Sequence, residues 1–550
     1  MTEKIEIINN DGTGNGAITT ELFWQLIDIG VSLTSERNTT RLMERILNEA
    51  QRITNADGGT LYLLDDTHEF PTLEYIILRT KSMNFKLGGT SGKKIEIPGL
   101  PLYNPETEEE NHNSVATHVA LSGESVSIVD AYDVDNFDFS GAKDFDKNTG
   151  YRSKSFLCVP LKNHESDVIG VIQLINATDP ESGETISFSV EIEPIIQTLC
   201  SFAAISLDNQ KLIQSHKDLF DSIVKVIAQA IDAKSPFTSG HCTRVPELTE
   251  MIAGEAVKSR VKAFAGFKLD EQQWFELRIA AWMHDCGKLA TPDHILDKET
   301  KLQTVRDGIE TIVSRFEILL RDAEIKYLRE LLKEPPNSDK LTTEFEKESA
   351  KIKEDRDFII KCNIGGEFME DNDIERVKQI AVRYRINANN SEYPLLNEDE
   401  MYNLSIRKGT LNEEERKKIN DHIVVTIDML NSLPFPKSMK NVPEIAGGHH
   451  ERMDGEGYPF GLSGTDMSIP ARIMALADIF EALTAQDRPY KDPMTLSTAF
   501  RIIRSMAGNH LDPDIVKLFF KSGVWKTYSE TYLLQDQIDV EEVSEYLKGL

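Results

Sequence analysis

Gly447 to Lys491 reads GGHHERMDGEGYPFGLSGTDMSIPARIMALADIFEALTAQDRPYK. Two adjacent imidazoles, His449 and His450, precede a glycine-rich turn, and one carboxylate, Asp478, sits inside an apolar helical run of Ile473, Met474, Leu476, Ala477 and Phe480. A buried aspartate needs a charged partner. Neutral imidazole together with carboxylate is a donor set for Zn, Fe or Mn. Further donors lie upstream: His284 and Asp285 close an apolar helix (Ile279, Ala280, Trp282), His241 opens another behind Gly240, and His422 follows Asp421 at the head of a third. Each alone is ambiguous, since a lone buried histidine is more often a hydrogen-bonded core residue than a ligand. Together they point to a metal centre.

Taken in order, HDCGK, HHERMDGEGYP and ADIFEALTAQDRPYK resemble the signature of HD-GYP phosphodiesterases, the HD-superfamily branch that degrades cyclic di-GMP. The likeness covers roughly residues 218–302 and 411–522. It implies Asp285 as the carboxylate bridging two divalent metal ions, with His241, His284, His422, His449, His450 and Asp478 completing the ligand set. It places Lys288 by the scissile phosphate, Arg488 and Lys491 as a phosphate-gripping pair, and Tyr458 as the eponymous tyrosine. Arg244 and Arg472 add to a basic cleft. Phe237 stands where some relatives hold a third metal through glutamate, so two metals are expected. Iron or manganese is favoured over zinc, because the set is histidine-rich, lacks thiolate and resembles that of iron-binding relatives. Such a pair supplies the strong nucleophile and the charge neutralisation that phosphodiester hydrolysis needs. Three readings stay open: hydrolysis of cyclic di-GMP to linear pGpG and onward to GMP, hydrolysis of a hybrid cyclic GMP-AMP, or a catalytically idle receptor or scaffold.

These residues need a scaffold, and 550 residues predict two to four domains. Apolar content of 40% and charged content of 28% are globular values. A formal net charge of −30 argues against direct DNA binding and requires a locally basic cleft for an anionic substrate. Five cysteines without repeating spacing read as reduced thiols. The first residues lack an apolar leader, and charged or polar residues break every long apolar run, so no membrane span and a cytoplasmic location are expected. Residues 1–18 read as a flexible tail.

From 19 to 204, helical patterns precede six strand-like runs: GTLYLLDD, LEYIILRTKS, KKIEIP, SVSIVDAY, SKSFLCVPLK and SDVIGVIQLIN. HNSVATHVALSGE reads as a short helix among them. The run from Asn148 to Leu161, with GVIQLIN ending at Asn176, resembles GAF domains of cyclic-nucleotide phosphodiesterases. That likeness implies an α+β sensor with an antiparallel sheet. Asn176, Phe188 and Glu193 fit its motif. Ala177 and Ile192 replace the lysine and aspartate of an ion pair, leaving open a small-molecule sensor or a dimerisation platform. One helix then runs from Ser189 to Lys234, and over 205–234 Ile205, Asn209, Leu212, His216, Leu219, Ile223, Val226 and Ala230 give the a/d seam of a parallel homodimer. An all-α catalytic domain follows over 235–302 and 411–550. It is interrupted at 303–410 by an insertion that reads as a charged helical hairpin: a lid, a docking arm or a second dimer contact.

Overall fold

A computed structural model describes residues 16–36, 38–67, 69–234, 240–333, 338–366, 368–388, 391–486 and 493–550. The chain divides into two compact units, 1–219 and 220–550. A helix begins at Gly16, inside the span expected as a tail.

The first unit is built on one antiparallel sheet with the strand order Phe85–Gly88, Thr72–Thr80, Ala56–Asp65, Val168–Thr178, Phe156–Lys162, Val126–Ile128. Side-chain alternation assigns its two faces. Leu157, Val159 and Leu161 point to one core with helix Thr39–Ile53 and the start of helix Glu193–Lys234, while Phe156 and Cys158 point to another with helix Val115–Ser122. Residues 93–98, expected as a strand, join no ladder. Gly88, Gly89 and Gly92 take φ of 71°, 57° and 71°, and carry the chain off the edge directly after the unexpected strand Phe85–Gly88. Helix Ser140–Thr149 was likewise not legible as one.

Asn176 adopts φ 57° and ties the preceding strand connection together: its amide oxygen accepts from Lys154 N (2.7 Å) and Ser155 N (3.3 Å), and Nδ2 donates to Arg152 O (2.7 Å). Ala177 is buried in the core and Ile192 packs against it, so apolar contact occupies the place of the motif's ion pair.

Helix Glu193–Lys234 is continuous over 42 residues, with Pro194 in its first turn, where no intrahelical donor is needed. The expected seam positions Ile205, Leu212, Leu219, Ile223 and Val226 are all exposed.

In the second unit the described residues of 240–302 and 411–550 are helical and share one core, centred on Phe480, Phe500, Phe519, Phe520 and Trp525. The insertion exceeds a hairpin. Helices Ile309–Lys333 and Ser338–Asn363 do run antiparallel, since Tyr327 stacks on Phe345 (4.8 Å) while Arg356 pairs with Glu317 (2.9 Å). Helix Asp371–Arg383, a two-stranded sheet of Arg385–Ala388 and Ser391–Pro394, and helix Glu398–Leu404 complete it. These pieces enclose their own core, including Phe316, Ile359, Ile380 and Leu395. The strands escape a sequence reading because RINA and SEYP are too short and polar to show alternation. No described helix is long and apolar enough to cross a membrane.

Candidate metal centre

Most of the expected ligands sit at helix ends. His241 opens helix His241–Lys258, His284 terminates Glu271–Met283, Asp285 precedes the 3-10 turn Cys286–Ala290, and His422 opens His422–Ser432. His449 and His450 lie in the turn Gly448–His450, and Asp478 projects from within Ile469–Thr484.

This placement orients the rings. Carbonyls in the last turn of a helix lack intrahelical donors, and three imidazoles supply them: Nδ1 of His284 bonds Ala281 O (2.7 Å), that of His422 bonds Ile419 O (2.5 Å) and that of His449 bonds Ala446 O (2.6 Å). His241 Nδ1 instead meets Glu481 Oε2 (2.5 Å). All four partners only accept, so Nδ1 carries a proton and Nε2 is the nitrogen left to face a metal. Those Nε2 atoms converge in two sets. His241, His284 and Asp285 form one, His422, His449 and His450 the other, each with donor atoms within 4.8 Å of one another. Asp285 stands between the sets. Its Oδ2 lies 3.3 Å from both His241 and His284 Nε2, and its Oδ1 lies 3.1 Å from His422 Nε2. Asp478 Oδ1 approaches His241 Nε2 at 3.4 Å, and the His284 and His449 rings meet at 4.9 Å. All seven expected ligands are thus gathered at one place.

The donor chemistry fits metal ions. Asp285 Oδ1, His422 Nε2 and His449 Nε2 are buried and take no hydrogen bond, an arrangement native proteins avoid unless another partner satisfies the atoms. The ionisation states of Asp285, His449 and His450 agree. Burial would raise the Asp285 pKa, but Lys288, His284 and His241 outweigh it and hold the carboxyl well below its usual range. Burial and neighbouring imidazoles lower His449 to about 4 and His450 further, which leaves neutral, electron-donating rings. For His241 burial also opposes charge, yet Glu481, Asp285 and Asp478 prevail and raise it to about 10, so without a metal this ring holds a second proton that an ion at Nε2 would displace. Burial pushes the Cys286 thiol up to about 11, so it is no thiolate ligand or nucleophile.

Close backbone approaches set the two histidine sets against each other. A Cβ on Gly287 would lie 1.9 Å from His422 O, so only glycine lets the 3-10 turn press on the helix that carries His422. Gly287 N also donates to Thr426 Oγ1 at 2.9 Å. Lys288 Nζ lies 2.6 Å from Asp285 Oδ2. The Tyr458 ring stacks on His450 at 4.8 Å, and Glu451, buried, holds the intervening loop by accepting from Phe460 N (2.7 Å) and Leu462 N (2.8 Å). A groove of about 400 Å³ opens beside Tyr458, bordered by Glu413, Arg416, Lys417, Asn420 and Asp421.

Two expected cleft residues are engaged elsewhere. Arg472 NH1 binds Asp512 Oδ2 (2.5 Å), and Arg244 binds Glu481 through Nε (2.8 Å) and NH2 (2.7 Å). Arg244 therefore braces the carboxylate that orients His241. Arg488, Lys491 and Phe237 lie outside the described residues. Glu481 was not singled out in the sequence, although its position three residues after Asp478, on the same face of an amphipathic helix, was a usable signal.

Residues 38–207 match the GAF domain family and residues 396–515 the HD domain family. The chain therefore carries a GAF domain and an HD domain. A probable cyclic di-GMP phosphodiesterase of Vibrio cholerae is 39% identical over 127 residues, covering 21% of this chain and 27% of that protein. A cyclic di-GMP phosphodiesterase of Thermotoga maritima is 38% identical over 116 residues, covering 21% and 31%. A 3'3'-cGAMP-specific phosphodiesterase 1 of Vibrio cholerae is 44% identical over 98 residues, covering 18% and 22%. The matched regions thus span less than a third of each relative.

Glu481→Ala is expected to lower metal affinity about 10- to 100-fold in a folded protein, measured by competition with a chelator. Glu481→Gln, which keeps an acceptor, is expected to lose less. Equal affinities in all three proteins would show that Glu481 only packs.

Proposed function

We propose that this chain is a metal-dependent cyclic-dinucleotide phosphodiesterase that opens cyclic di-GMP to linear pGpG, with a second cut giving GMP. The observation that carries the reading is the pair of histidine sets facing the two oxygens of one buried aspartate. We assign two divalent ions to it, iron or manganese, held by His241, His284, Asp285 and Asp478 on one side and by His422, His449, His450 and Asp285 on the other. When bound, such a pair supplies an activated water and neutralises phosphoryl charge.

The chain's own groups do the rest. Asp285 stays ionised and keeps both sets in register. Lys288, 2.6 Å from it, offers an ammonium to the phosphoryl or leaving oxygen. Arg416 and Lys417 line the groove beside Tyr458 together with Glu413 and Asp421, so its charged lining is balanced where the whole chain carries −30, and the two cations are the groups there that can meet a phosphate. They take the part first assigned to Arg244 and Arg472, alongside the expected phosphate grip of Arg488 and Lys491. Relatives named for cyclic di-GMP and for 3'3'-cGAMP both match this chain, so the hybrid dinucleotide is the second substrate to assay.

The GAF domain is read as the regulator. Its groove of about 930 Å³, bordered by Lys162, Asn163, Asp208 and Lys211, is the place for a small ligand. The exposed stripe of Leu212, Leu219 and Ile223 is the face for a second copy in parallel.

Asp285→Ala is expected to reduce hydrolysis of both cyclic dinucleotides to background with an unchanged circular dichroism spectrum. Lys288→Ala is expected to lower kcat about 100- to 1,000-fold. Wild-type turnover by Asp285→Ala would sink the mechanism. Tight binding without cleavage by the metal-loaded wild type would establish a receptor. Replacing Leu212 and Leu219 by Glu is expected to yield monomers by light scattering, whereas an unchanged mass would place any dimer contact elsewhere.

A further inference from the structure

The helix that starts in the GAF domain at Glu193 ends at Lys234, and its last turn touches the metal centre's supports on two sides. Helix His241–Lys258 begins at Gly240, whose φ of 77° and missing side chain leave the first amides without a local cap. Asp232 supplies one from another helix: Oδ2 accepts from Gly240 N (3.0 Å) and Oδ1 from Cys242 N (3.4 Å), the amides that flank His241. A carboxylate at a helix N-terminus is favoured by the exposed N–H groups and by the helix dipole. Two residues on, Lys234 Nζ donates to Leu289 O (2.7 Å) and Thr291 O (2.6 Å), with Asp293 Oδ1 at 3.5 Å. Those carbonyls close the 3-10 turn that carries Lys288, whose own carbonyl accepts from Thr291 N at 3.0 Å. One helical turn thus caps the start of the segment bearing His241 and the end of the segment bearing Lys288, with opposite charges matched to opposite ends.

We propose that Asp232 and Lys234 are positioning residues: Asp232 sets His241 in the metal centre and Lys234 sets Lys288, so the end of the connecting helix governs turnover without touching substrate. This rests on the phosphodiesterase reading for turnover, but its metal-binding half does not. The bonds both groups make are to backbone and to Asp293 rather than to the donor atoms, so each acts through the backbone it holds. A backbone displacement of about 1 Å is enough to change rate by up to about 100-fold.

The test uses the full chain. Lys234→Met is expected to lower kcat about tenfold or more, with KM within twofold and with metal content and Tm unchanged. Lys234→Arg, which still donates to both carbonyls, is expected to restore most of that loss. Asp232→Ala is expected to weaken metal binding about tenfold by chelator competition, and Asp232→Asn to retain most of the affinity. The proposal is overturned if all four variants match wild type, or if Lys234→Met loses activity only in proportion to lost metal or folded protein. Should wild type cleave no cyclic dinucleotide, the hydrolase reading fails, and the proposal stands or falls on the affinities of Asp232→Ala and Asp232→Asn.

Discussion

An ionised carboxylate sealed from water is among the costliest groups a fold can hold, because desolvation penalises it by several kcal/mol (about that per ion) unless charge or metal answers it. Asp285 is nearly inaccessible, and among the described residues the ion-pair partners of its oxygens are three imidazoles and one ammonium. The helical domain is arranged around that requirement. Two of the histidines beside it, His284 and His422, reach it from helix ends where a free backbone carbonyl fixes the ring, and the third, His241, is fixed by Glu481. The same bonds that finish each helix therefore aim Nε2 at the aspartate, so local capping and the geometry of the centre are one constraint.

Keeping the two histidine sets on opposite sides of one carboxylate demands close backbone contact. Gly287 against His422 O, and Gly448, where a Cβ would lie 2.9 Å from Ala471 Cβ, bring the segments together where any side chain would part them. The aromatic core around Phe480 and Phe500 lies under the helix that bears Asp478 and Glu481, which makes that helix a rigid support. The insertion, with a separate core, leaves this arrangement intact although it divides the domain in sequence. The HD domain match begins only at residue 396, so three of the seven expected ligands, His241, His284 and Asp285, come from before it.

What the sequence shows and hides follows from range. Five of the seven expected ligands are marked locally, by the His284-Asp285 pair at a helix end, the His449-His450 pair before glycines and Asp478 in an apolar run, whereas His241 and His422 join them through the family resemblance. The GAF and helical architecture was legible for the same reason, through period-two and helical patterns. The partners of Arg244 and Arg472 were not, because Glu481 and Asp512 lie 237 and 40 residues away, and a lone arginine in a sequence does not reveal which carboxylate it meets. Asp232 and Lys234 look like solvated charges on a long helix until the fold brings Gly240 and Leu289 to them. Residues 93–98 carry strand-like composition, but three glycines with positive φ beside them decide the path.

The most direct test is a crystal structure of metal-reconstituted protein with anomalous scattering recorded on both sides of the iron and manganese edges. Two anomalous peaks flanking the Asp285 carboxylate are expected, one beside His241 and His284 and the other beside His422, His449 and His450. A single peak, or two peaks that leave Asp285 without a metal contact, would contradict a centre bridged by that residue.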